Sequence, residues 1–307
     1  MKVETAIFNH KQKRKETWKR VKENKGAYLL ISPFFIIFAI FGIYPILFSF
    51  YLALSSWDGI GQMEFVGLRN FEFLIRDPLF WKSIANTFII WIMSTIPMIL
   101  LALVIAFLLN STFVKYRNLF KTLYFLPNVT AIVAVAIIFG VIFTPGYGLI
   151  NYFITSLGFE AINWHGNSVA VKIAISVMII WRWTGYNAII FLAGLQNIDQ
   201  SLYEAARIDG ATTFQIFRKI TIPLLRPVIL FVVITSTIGG MQTFAEPQIL
   251  VGNSGGAGAG GLTIVLYLYQ QAFEKGLYGY GSAIAIGLFI VIILFSLLNW
   301  MIVQRKK

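Results

Sequence analysis

An all-α membrane protein of six spanning helices is what this sequence predicts, on three observations. The composition is 58% hydrophobic and 12% charged with mean hydropathy +0.75, outside the range of water-soluble domains. Six apolar runs, at 28–55, 84–109, 119–143, 169–194, 226–248 and 281–303, each reach the roughly 20 residues a membrane-crossing helix needs. The charges fall between those runs and mainly on one side. Nothing between the runs is large enough for a separate soluble domain.

Residues 1–26 form a basic tail, expected in the cytoplasm, and 27–307 form the membrane domain. Nine Lys and Arg precede the first run. A signal peptide is excluded by length, because its apolar region spans only about 7–15 residues. If the tail is cytoplasmic, six spans place the 110–121 loop, the 195–226 loop and the C-terminus on the same side. Those segments hold nineteen basic residues against four in the outer connections, Arg69, Arg76, Lys82 and Lys275. The positive-inside rule therefore predicts N-in/C-in. The same asymmetry accounts for a net charge of +12 through topology and anionic lipid. The tail interleaves no stacking aromatics with its charges, so nucleic acid is not an expected partner. The localisation implied is the cytoplasmic membrane, multi-pass.

The second and third runs are plain apolar helices in this reading. The fourth carries "WRWTGYN" (181–187), with Arg182 near the middle of the span. An arginine there costs about 2.5–3.5 kcal/mol on insertion scales, so it marks either a functional site or a structural pair. Trp181, Trp183, Tyr186 and Asn187 on this run, with Gln242 and Glu246 on the fifth, cluster flat apolar faces with polar groups. That is the general make-up of a small-ligand pocket. At 100° per residue Trp181, Gly185 and Ala188 share one face, and Trp183 is expected to fall outside any cavity they line. Gly239 and Gly240 are a packing point or an opening beside a pathway.

The loop 195–226 is the most patterned polar segment. Ser201 and Glu204 fit a capping box, Gly210 a left-handed helix end, and Thr212 with Gln215 a second box. Phe214, Phe217 and Ile220 form an apolar stripe, and Pro223 and Pro227 bracket the next span. Two short helices with a sharp bend are expected. On spacing alone they are equally a hairpin lying on the membrane, with Glu204 only a cap.

Other chemistry is largely excluded. There are no cysteines, hence no disulfide or thiolate site. His10 and His165 are expected on opposite sides of the membrane, so no metal site and no cofactor is assigned. The glycine-rich tract 252–261 has no Gly-Lys-Ser/Thr and is expected to be a flexible outer loop, not a phosphate loop. No acid–base cluster or activated nucleophile suggests an enzyme, and no catalytic residue is assigned.

Glu204-Ala205-Ala206, Asp209-Gly210-Ala211, Ile220, Ile222-Pro223 and Pro227 together resemble the "EAA" loop of permease subunits in binding-protein-dependent ABC importers. The likeness is greatest to the sugar branch related to the larger maltose-type subunit. It extends over residues 27–303, through "FVGLRNFEFLIRDPLFWKSIANTF" (65–88), "GLIN" (148–151) and "FAEPQIL" (244–250). In that family the last motif often reads F-D-E-P-Y-x-L-T; Ala245 and Gln248 replace the acid and the tyrosine. The resemblance implies that Glu204, Ala205, Ala206, Asp209 and Gly210 form a coupling helix seated on a cytoplasmic ATPase. It implies a heterodimer with a second permease subunit, two ATPase copies and an extracytoplasmic sugar-binding protein. Trp181, Gly185, Tyr186, Asn187, Gln242 and Glu246 would line the pathway of an oligosaccharide, with alternating access driven by ATP elsewhere in the complex. An ion-coupled secondary transporter is the alternative, weakened by the absence of a clear inverted repeat.

Overall fold

The computed structural model describes residues 19–111 and 114–304, with the backbone alone for 302–304. Most of the basic tail, His10 and the last three basic residues lie outside the described residues. The chain divides into a unit of residues 1–52 and a unit of residues 53–307. Helix α1, Lys25–Ala53, belongs to the first unit except for its last residue; it is apolar, contains Pro33 and carries a π turn at Ala39–Ile43.

The second unit opens with a short hairpin, β1 Ser55–Ser56 against β2 Glu64–Phe65, then α2, Arg69–Arg76. Asn70 pins the hairpin by donating its Nδ2 to the Ala53 and Ser55 carbonyls at 2.9 Å each. Helix α3, Pro78–Asn110, begins where Asp77 accepts from the Leu79 N–H and Pro78 occupies the first turn. That Asp-Pro start satisfies an orphan amide and wastes none, since proline has no N–H to lose. The buried face of α3 runs through Ser83, Thr87, Ile90, Ser94, Met98, Ala102 and Ala106 at steps of three and four. Small side chains let a neighbour approach closely, the usual basis of helix association where lipid removes the hydrophobic drive. The neighbour is α7, Ser168–Gln196, the most extensive helix partner of α3.

The third apolar run is not one straight helix. It forms α4, Arg117–Val129, and α5, Ile132–Ile142, with a 91° bend between them. Thr130 and Ala131 are extended there, and the Thr130 hydroxyl bonds the Leu126 carbonyl at 2.8 Å. Pro127 sits two residues before the end of α4 and donates no hydrogen bond to the preceding turn, which weakens the helix where it breaks. Among the described residues, five helices are long and apolar enough to cross a membrane, and the bent pair passes the same test only when its two helices are taken as one span.

Outside the spans, α6, Leu149–Ser156, is held by buried Asn151, which exchanges hydrogen bonds with Ile162 and accepts from the Trp164 indole. After α7 comes α8, Gln200–Ile208. Its N-cap is Asp199, accepting from the Ser201 N–H at 2.9 Å, so the expected Ser201–Glu204 box is absent. Asp199 precedes Ser201 by two residues and its carboxylate is the stronger acceptor for the first-turn amides. The Thr212–Gln215 box does form. The helix it starts is not a separate short one: α9 runs without interruption from Thr213 to Met241, through a π turn at Phe217–Thr221. Wider π hydrogen bonding absorbs the donor that Pro223 lacks, so the prolines do not end the helix. Within this segment Ile216 is buried, whereas Phe214 of the expected stripe is exposed.

The fifth run also stops short. The α9 helix ends at Met241, three residues break it, and α10, Ala245–Val251, follows. Gly239 and Gly240 just before the break lower the helical propensity there. The end of the glycine tract 252–261 is packed while Gly252, Ser254 and Gly258 are exposed: Asn86 donates to the Ala259 and Leu262 carbonyls at 2.7 and 3.1 Å, and residues 260–264 are buried. A side chain at Gly261 would meet Val171, Val251 and Ile175, so glycine here permits close approach. The chain then forms α11, Ile264–Tyr269, and α12, Tyr278–Gln304.

Candidate functional site

A cavity of about 470 Å³ lies where α3, α7 and the broken end of α9 meet. Its uncharged polar wall comes from Ser94 and Thr95 on α3, Asn187 on α7, and Thr235, Gln242 and Thr243 around the break. Trp183, Tyr186 and Phe244 supply flat faces. The Trp183 and Tyr186 rings meet edge-on, with centroids 5.7 Å apart. Asn187 is anchored by donating to the Trp183 carbonyl at 3.0 Å. Thr243 caps the end of α9 through the Gly240 carbonyl and in turn accepts, at its own carbonyl, from the Thr263 hydroxyl. The break in α9 is therefore tied down, and its polar backbone faces a cavity rather than lipid, the condition under which irregular backbone is tolerated at membrane depth.

Arg182 and Glu246 are the only charged side chains among the lining residues, and they pair at 3.2 Å. Both are largely buried, the side chains 19% and 10% exposed. Pairing offsets part of the cost of an arginine in the span. The guanidinium also lies 5.7 Å from the Trp183 ring centroid, and its Nε–H has no hydrogen-bond partner.

The expected pathway residues are thus divided. Tyr186, Asn187, Gln242 and Glu246 share this cavity; Trp181 and Gly185 do not, and Trp183 does. The α7 face on the cavity is Ile179, Arg182, Trp183, Tyr186 and Asn187, at helical spacing. The opposite side is taken by the bent pair α4–α5. Trp181 packs on Phe139 with centroids 5.5 Å apart, and a Cβ at Gly185 would lie 1.7 Å from the Tyr124 carbonyl oxygen. Gly185 is thus where α4 crosses α7, not space for a ring. Gly240 is likewise a packing point, under Trp91, while Gly239 has open space beside it. Hydroxyl-bearing Ser94, Thr95, Thr235 and Ser236 also line the cavity; their signal in the sequence is polarity inside otherwise apolar runs.

The loop residues lie apart from the cavity. Glu204, Ala205, Asp209 and Gly210 are exposed and Ala206 is half-buried. Gly210 has φ +74°, the left-handed geometry that favours glycine, and nothing crowds it. Leu202 and Ile208 on the same short helix are 45% and 87% exposed, so α8 offers an apolar and acidic surface together. Asp199, at its start, has its carboxyl held below the usual range by the Ser201 N–H and hydroxyl. Tyr203 ties α8 back to the π turn, its hydroxyl 3.3 Å from that of Thr221.

Comparison with known proteins agrees with these features. A family profile described as "Binding-protein-dependent transport system inner membrane component" matches residues 78–307. The lactose transport system permease protein LacF of Rhizobium radiobacter is 38% identical over 92% of this chain and 95% of its own length. The arabinooligosaccharides transport system permease protein AraP of Bacillus subtilis (strain 168) is 40% identical over 92% and 90%. A chain of a bacterial alginate ABC transporter, crystallised with an alginate pentasaccharide-bound periplasmic protein, shares the fold at TM-score 0.81. That likeness covers 94% of this chain and 97% of the other at 24% identity. With several helices long and apolar enough to cross a membrane, a family profile over residues 78–307 and relatives over 92% of its length, the chain belongs to the inner membrane components of binding-protein-dependent transport systems, the permease subunits of ABC importers.

Proposed function

We propose that this permease passes an oligosaccharide through the cavity between α3, α7 and α9 by alternating access. The observation that carries the reading is the cavity itself: hydroxyl and amide groups for sugar hydroxyls beside Trp183, Tyr186 and Phe244 for sugar C–H faces. The sugars named for LacF and AraP support the same class of cargo. Residues 27–307 serve as the transport domain and residues 1–26 as a cytoplasmic, lipid-facing tail, with both termini inside by the charge asymmetry. Residues 195–226 form the coupling loop, in which Glu204, Ala205, Ala206, Asp209 and Gly210 meet the ATPase. The working complex pairs this chain with a second, similar permease subunit and two ATPase copies, and an extracytoplasmic sugar-binding protein loads it. Nothing in the family supports the ion-coupled alternative.

The test is uptake by the reconstituted complex in proteoliposomes, with a panel of labelled oligosaccharides. Uptake that requires both ATP and loaded binding protein is expected. Uptake driven by an ion gradient without ATP, or of non-sugar solutes alone, overturns the proposal.

A further inference from the structure

We infer that the Arg182–Glu246 pair makes this cavity selective for saccharides without an ionised group, and that Glu246 is the residue that sets the selectivity. The inference rests on the cavity being the sugar site proposed above, and it names the class of sugar.

The cavity wall holds one cation and one anion, paired at 3.2 Å, and its remaining polar groups are uncharged. Its net charge is therefore zero. A sugar carboxylate entering it would have to displace Glu246 from the guanidinium or lie beside it, and like charges in a poorly solvated space repel strongly. An ammonium group would meet the same obstacle from Arg182. A neutral sugar needs no such exchange. Its hydroxyls find the amide of Gln242 and the hydroxyl of Thr235, both exposed along the wall. Glu246 is placed to hold this arrangement because α10 begins one residue before it, immediately after the break. Its backbone is thus fixed by the short helix, not by a mobile span end. The charge is built into the wall, independent of what a binding protein selects outside.

The corollary is that removing the anion alone should convert the site. In Glu246→Gln the Arg182 guanidinium loses its counter-charge in place and becomes a receptor for a carboxylate, to which arginine is geometrically suited. In Arg182→Gln/Glu246→Gln both charges are gone and that gain should disappear.

The experiment is equilibrium binding of two radiolabelled trisaccharides to the detergent-purified complex without its binding protein. One is neutral; the other is the same compound with one uronate ring. Wild type should favour the neutral sugar by roughly tenfold or more, the scale of one hydrogen bond to a charged group. Glu246→Gln should shift the ratio toward the uronate by a similar factor, with a salt dependence that wild type lacks. The double variant should lose that shift. Equal binding of both sugars by wild type overturns the inference, as does an unchanged ratio in Glu246→Gln. If Glu246→Gln does not assemble, the wild-type ratio decides alone. Binding of neither sugar by wild type overturns the sugar-site reading and the inference with it. Tight neutral binding with no discrimination overturns only the inference.

Discussion

Replacing Asp77 with alanine should loosen the end of the membrane domain where α3 begins by about 3–5 kcal/mol. Asp77 is 8% exposed and works in two directions. Its Oδ1 accepts the Leu79 N–H at 2.9 Å and caps α3, while its Oδ2 accepts the hydroxyls of Tyr267 on α11 and Tyr280 on α12, the latter at 2.5 Å. One carboxylate thus joins three elements far apart in sequence. A hydrogen bond to a charged group contributes about 1.5–3 kcal/mol and an N-cap about 1. The contributions share a single acceptor and are not additive, which lowers their sum of about 4–7 kcal/mol to the stated range. Asp77→Asn, which keeps one acceptor oxygen, should cost about half as much. Burial raises the Asp77 pKa, but the Tyr267 and Tyr280 hydroxyls and the Leu79 and Phe80 amides outweigh it and hold the carboxyl below its ordinary value. Tyr267 moves the other way, pushed up by burial first and by the Asp77 hydrogen bond second, so it remains a donor. Because the folded-state value of Asp77 is depressed, its contribution is complete above the unfolded carboxyl pKa of about 3.9. It is lost as pH falls through the folded value. The gap between wild type and Asp77→Ala should be flat near neutrality and close below about pH 4. Reversible unfolding by SDS in mixed micelles, followed at several pH values, measures the gap, and hydrogen exchange over 264–274 locates it. An unchanged midpoint in Asp77→Ala would refute the argument.

Three further outcomes are expected. Gly185→Leu should prevent stable assembly of the fold, because even its Cβ meets the Tyr124 carbonyl at 1.7 Å and backbone must move; normal yield and gel-filtration behaviour would place α4 elsewhere. Gly210→Val forces a β-branched residue to φ +74°, at a cost of about 1–2 kcal/mol; sugar uptake should drop with the protein still inserted, and wild-type uptake would remove the loop from the coupling role. Trp183→Ala should raise the sugar concentration needed for half-maximal uptake. Trp181→Ala should instead lower thermal stability through its lost Phe139 contact, and the reverse assignment would show that the wrong face of α7 lines the pathway.

Much of this architecture was legible from residues. Long apolar runs flanked by charge announce spans, Gly210 and Thr212 announce a turn, and an arginine inside a span announces a site. What could not be read is which face of a helix meets which neighbour. In α7 the aromatics Trp181, Trp183 and Tyr186 point to different sides and polar residues are scattered among them, so periodicity does not separate the Trp181 side from the Trp183 side; the position of α4, read through Gly185, does so. The bend at Thr130–Ala131 and the break after Met241 were hidden for a related reason. Both show only a local dip in hydropathy within a longer apolar run, and hydropathy carries no information about backbone direction. Ser94, Thr95 and Thr235 were visible as hydroxyls in apolar runs, but such groups often bond only the preceding turn. Thr235 does so with the Phe231 carbonyl at 2.8 Å.

The uninterrupted course of α9 has a mechanical consequence. Twenty-nine helical residues from Thr213 to Met241 make a rod about 43 Å long, with the exposed loop at one end and the broken, cavity-lining segment at the other. A hinge between loop and span would let a push on the loop dissipate locally. A rod would deliver it as a tilt against the helices it packs on, α12, α3 and α7. On α7 the closest approach is at Gly194, whose missing side chain lets Leu225 and Val228 bear directly on the neighbouring helix. That contact lies about 18–23 Å along the rod from Thr213 and about 20–24 Å from Met241, near the middle of the shaft. A tilt about it would carry the loop end and the cavity end in opposite directions, and the π turn at Phe217–Thr221, on the loop side, gives the shaft slack to lose.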